Sequence, residues 1–180
     1  MRKLLVLAVL AFTSLFALAD TSVSVSGIRD TRSDNVTGYQ VAAVTPVDSD
    51  FRLTGKFENT VGQPGTNRDL LAVGAEYDFG KAGSLTLTGT TSVGYLETVG
   101  NKGSFVTVGG KASAPVLTGL TAFVGVERQL GTSGVNALDN TEGFVGAEYS
   151  LSKALKASVR AGYADGVSGA KYQGGLSYQF

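Results

Sequence analysis

Lys56, Glu76, Lys111, Glu148 and Arg160 each stand between two small or apolar neighbours: Gly55 and Phe57, Ala75 and Tyr77, Gly110 and Ala112, Ala147 and Tyr149, Val159 and Ala161. Successive side chains of a strand point to opposite sides, so a charge in such a setting faces away from its neighbours. The same face takes Arg52, Glu58, Asp78, Glu127, Lys156 and Lys171. The chemistry open to this set is electrostatic. Opposite charges brought together away from bulk water pair with one another, and charges that stay hydrated line a conduit for ions. The spacing predicts that Lys56, Glu76, Lys111, Glu148 and Arg160 point to one interior and join in one charge network. The solvated-conduit arrangement is the alternative.

Other chemistries find little support. The sequence has no His and no Cys, which removes the commonest general base, the commonest metal ligand and any thiolate or disulfide site. Ser150-Leu151-Ser152-Lys153 has the spacing of a Ser-x-x-Lys nucleophile. It lacks the partner motifs and falls where a tight turn is expected. Gly109-Gly110-Lys111 is no phosphate loop, because Ala112 stands where Ser or Thr is required. Asp139, Asn140, Thr141 and Glu142 offer oxygen ligands without the spacing of a calcium loop, and read as a solvated loop. Basic and acidic residues balance at 15 each, so no basic field draws nucleic acid. The expectation is a protein that is not an enzyme and has no cofactor, no metal and no nucleic-acid partner.

The elements that hold the charges are strands. Tyr172, Gly174, Leu176, Tyr178 and Phe180 alternate with Lys171, Gln173, Gly175, Ser177 and Gln179. Leu155, Ala157, Val159, Ala161 and Tyr163 alternate with Lys156, Ser158, Arg160 and Gly162. The same reading gives about ten strands centred near Val25, Val41, Gly55, Gly74, Gly89, Val108, Val124, Ala147, Val159 and Gly175. One set of connections is rich in Asp, Asn and Gly: Asp30 to Asn35, Gly62 to Asp69, Gly100 to Gly103, Gly131 to Gly143 and Asp165 to Gly169. The set between is tighter: Pro46 to Asp50, Gly80 to Ser84, Pro115 to Gly119 and Ser152 to Ala154. Val73-Gly74-Ala75-Glu76-Tyr77 recurs as Val145-Gly146-Ala147-Glu148-Tyr149, a strand repeated within hairpins.

Aromatic residues on the apolar face fall in two bands. Phe51, Tyr77, Phe79, Tyr149, Tyr178 and Phe180 lie near the tight turns, and Tyr39, Phe57, Tyr95, Tyr163 and Tyr172 near the loops. Such bands suit the two interfaces of a bilayer. The fold expected is an all-β, antiparallel, up-and-down transmembrane barrel of ten strands, with eight as the alternative. Residues 1–19 read as a signal peptide: Arg2 and Lys3, an apolar run from Leu4 to Phe16, then Ala17-Leu18-Ala19 before Asp20. The barrel then takes residues 20–180.

Together these features resemble the bacterial outer-membrane β-barrel proteins, in particular the small opacity-like barrels and the barrel half of OmpA-type proteins. The resemblance rests on the leader, the alternating strands and the row Leu176, Tyr178 and Phe180. It implies a place in the outer membrane, and contact with outer-membrane lipid and lipopolysaccharide. It also implies that Leu176, Tyr178 and Phe180 serve as a signal to the β-barrel assembly machinery and that periplasmic chaperones attend the chain. With ten strands the tight turns and both chain ends are expected on the periplasmic side. The function expected first is a structural or surface-interaction role. A narrow passive channel for ions or small solutes comes next, and an adhesin acting through the loops third.

Overall fold

The computed structural model describes residues 20–32, 36–62, 67–134 and 139–180, so the leader read in residues 1–19 lies outside the described residues. Ten strands follow one another: β1 (Ser22–Asp30), β2 (Val36–Pro46), β3 (Phe51–Val61), β4 (Arg68–Ala82), β5 (Leu85–Thr98), β6 (Asn101–Leu117), β7 (Leu120–Ser133), β8 (Asn140–Ser150), β9 (Leu155–Ala164) and β10 (Lys171–Gln179). Each pairs antiparallel with its neighbours in sequence, and β1 pairs with β10 to close the barrel. Closure leaves no unpaired edge, the condition for a sheet to cross a hydrocarbon layer.

The alternation of the sequence becomes the two faces of this wall. Val25, Val73, Val93, Val124, Val145, Val159 and Leu176 point outward and are about half exposed. Tyr77, Phe79, Tyr149, Tyr178 and Phe180 form an outer band at the turn end, and Tyr39, Tyr95, Tyr163 and Tyr172 one at the loop end. Within the first band Tyr77 meets Phe79 edge to face at 5.3 Å, and Tyr178 meets Phe180 at 5.1 Å. An apolar exterior with aromatic girdles is the inverse of a water-facing sheet and suits a lipid surround.

Several connections differ from those expected. The Gly100–Gly103 stretch is not a loop, because Asn101, Lys102 and Gly103 continue the ladder opposite Thr98, Glu97 and Leu96. A two-residue turn, Val99-Gly100, suffices, with Gly100 at a φ of 87° that an L side chain rarely adopts. The Gly131–Gly143 loop is shorter than expected, since β7 runs on to Ser133 and β8 already begins at Asn140. Strand β6 also passes through Pro115, where the register shifts by a bulge that accommodates the missing N–H.

Candidate functional site in the barrel interior

The inward faces of the strands enclose a cavity of about 460 Å³. Lys56, Glu76, Lys111, Glu148 and Arg160 all contribute to its wall, with Ser24, Thr54, Thr90, Ser92, Thr107 and Ser158 among the hydroxyls between them. The lining reaches Ser113 and Thr121, near the turn end. Toward the loop end the interior is filled by an apolar cluster of Leu70, Ala72, Leu96 and Phe105.

No ion pair joins any two of these five charges to each other. The Arg52 guanidinium donates to Glu76 at 3.2 Å and to both oxygens of Asp78 at 2.7 and 2.8 Å, and Thr88 Oγ1 donates to Asp78 at 2.6 Å. Lys156 Nζ lies 2.9 Å from Glu148. Arg160 Nη2 donates to Glu127 at 2.9 Å and to Glu142 at 2.8 Å. Lys56 and Lys111 have no carboxylate within 4.0 Å among the described residues. The distribution follows the strand register. Arg52 and Glu76 are direct partners across β3 and β4, and Glu148 and Lys156 are diagonal across β8 and β9. Neighbours on adjacent strands stand closer than residues across the bore, so partners come from the ladder first.

Two arrangements do span the interior. Arg32 holds Asp30 at 2.8 Å and Glu142 at 2.5 Å, and Arg160 carries the chain on from Glu142 to Glu127. The Arg160 guanidinium also lies over the Phe144 ring, 3.8 Å from its centre, a cation–π contact. Lys171 Nζ donates to both oxygens of Glu58, at 2.8 and 2.9 Å, with β1 and β2 between their strands. Glu58 is 2 % exposed. Both sit on the loop-end side of the cavity.

Some of these groups escape a reading of the sequence. Glu142 has the loop-like company of Asp139, Asn140 and Thr141 in the sequence, yet it lies in β8, faces inward and is buried in the ion-pair chain. Asp139 accepts the Gly131 N–H at 2.9 Å. The inward phenylalanines were also missed. Phe105 lies on Gly94, Phe123 on Gly146 and Phe144 on Gly125, each ring occupying the space a Cβ would need. Phe123 and Phe144 meet edge to face at 6.3 Å. Their only sequence signal is an aromatic on the polar side of the alternation. Ser150 and Lys153 flank the β8–β9 turn, where the backbone N–H groups of Leu151 and Ser152 both donate to the Leu155 carbonyl. That is the geometry of a turn.

No family model matches this chain, and no curated protein matches it. Solved structures do share its architecture. An outer membrane channel from Pseudomonas putida F1, described as COG4313, superposes with a TM-score of 0.60 at 8 % identity, over 91 % of this chain and 96 % of that one. The KdgM porin, solved in complex with disordered oligogalacturonate, gives 0.51 at 16 % identity, over 88 % and 99 %. The NanC porin gives 0.51 at 10 % identity, over 88 % and 100 %. At these identities the likeness is one of fold, and the fold is that of the outer-membrane β-barrels. Nothing finer than that class follows from it.

Proposed function

We propose that this chain is a non-enzymatic β-barrel of the bacterial outer membrane whose interior offers a narrow passive path to ions or small solutes. The observation that carries this reading is the cavity of about 460 Å³ inside a closed wall, lined by hydroxyls and charges. A barrel serving only as a wall has no need of an open, polar bore. The lack of His and Cys supports a non-catalytic role. Planar bilayers test it: purified barrel should give discrete, small conductance steps, and their absence would favour the structural or surface role. That second reading has its own support in the filled loop end, where Leu96, Phe105 and the Glu58–Lys171 pair occupy the bore. We take lipid and lipopolysaccharide to cover the apolar outer wall.

The assembly role belongs to the same proposal. Leu176, Tyr178 and Phe180 form one outward row beside the β1–β10 seam. Phe180→Ala is expected to lower outer-membrane levels in cells while leaving the urea midpoint of barrel already folded in detergent nearly unchanged. Equal membrane levels for variant and wild type would remove the assembly role.

A further inference from the structure

We propose that Lys56 and Lys111 are uncommitted cations on one wall of the bore, with Arg68 above them at the loop end, making the cavity a binding site for small anions. The inference deepens the channel reading. It rests on that reading for flux but not for binding.

The argument is an imbalance. All seven carboxylates on the inward faces already hold a cation: Asp30 with Arg32, Glu58 with Lys171, Glu76 and Asp78 with Arg52, Glu127 and Glu142 with Arg160, and Glu148 with Lys156. Three inward cations have no carboxylate within 4.0 Å among the described residues: Lys56, Arg68 and Lys111. The carboxylates whose fields reach Lys56, Glu127 and Glu58, are the ones bound by Arg160 and Lys171. Arg68 adds a second observation, since its Nε is buried with no hydrogen-bond partner. A guanidinium N–H left in that state is a donor awaiting an acceptor.

Their placement is one-sided and graded. Lys56 lies on β3, Arg68 on the adjacent β4 and Lys111 on β6, with β5 between β4 and β6. Arg68 opens β4 at the loop end, opposite Thr60. Lys56 pairs with Ala72, four residues further down that strand. Lys111 pairs with Thr88, itself opposite Asp78 near the turn end. Thr54, Thr90, Ser92 and Thr107 lie on the same sector of the cavity wall and supply neutral donors. An ammonium in a confined bore is poorly hydrated, and an entering anion brings the missing countercharge. An entering cation finds every carboxylate already engaged.

Sulfate is the probe. Calorimetric titration of detergent-folded barrel should show sulfate binding, weakened about tenfold for each lysine removed in K56Q and K111Q, as loss of a charge-assisted hydrogen bond implies. K153Q, in the β8–β9 turn, should bind as wild type does. Heat-modified gel mobility confirms that each variant is folded. Failure of wild type to bind sulfate, or equal binding by the K56Q/K111Q double variant, would overturn the proposal. In bilayers under a KCl gradient, wild type should favour chloride and the double variant should lose that preference; a potassium preference in wild type also counts against it. Sulfate binding without any conductance would sink the channel reading alone.

Discussion

Arg160→Met is expected to destabilise the barrel by about 1–3 kcal/mol at neutral pH, between the cost of breaking an exposed pair and that of breaking a fully buried one. Arg160 is the cation shared by Glu127 and Glu142. After its loss Glu142 keeps Arg32, and Glu127 has no cation within 4.0 Å among the described residues. The cation–π contact with Phe144 goes as well, worth roughly 0.5–2 kcal/mol. Urea unfolding in lipid vesicles makes the measurement. Wild-type stability of the variant would refute the account. Arg160→Lys should fall between, keeping the charge but losing the planar fork that reaches two carboxylates.

Lys171→Met should cost more, ~3–5 kcal/mol, because Glu58 is then buried without its cation. Removing both charges, in K171M/E58Q, should recover most of that loss, since the dominant penalty is the unpaired charge and not the missing attraction. A double-mutant cycle measured by unfolding separates the two effects. A coupling energy below ~1 kcal/mol would mean that the pair behaves as an exposed one. The pair also sits at the filled end of the bore, so the double variant should conduct more than wild type.

The strands were legible because one wall separates two solvents, and the chain records this as strict alternation. Val159, Arg160 and Ala161 identify their faces without help from any other strand. Partners were not legible. Glu58 and Lys171 are 113 residues apart and meet only because the barrel closes through β1 and β10. The packing of Phe105 on Gly94 likewise depends on the β5–β6 register, which no local pattern states. Glu142 was hidden by its company. Asp139, Asn140 and Thr141 have the composition of a loop, yet pairing with β7 and β9 draws the segment into the sheet. Gly100 to Gly103 shows the reverse: a stretch read as a loop is mostly ladder.

The strands are unequal. β4 to β7 run 14 to 17 residues, while the other six run 9 to 11. About 9–11 residues suffice to cross a bilayer. The surplus therefore stands clear of it at both ends: β4 runs on past the partner of Phe51 at the turn end and β7 past the partner of Asn140 at the loop end, so each rim has a raised lip on one side and a low sill on the other. At the loop-end rim, beside the Val99-Gly100 turn, Glu97 and Lys102 face outward and hold each other at 2.8 Å. The molecule thus has a front and a back as seen along the membrane normal. A body approaching from the loop side touches the lip before it reaches the mouth, and a neighbour in the plane of the membrane meets a different height at each bearing.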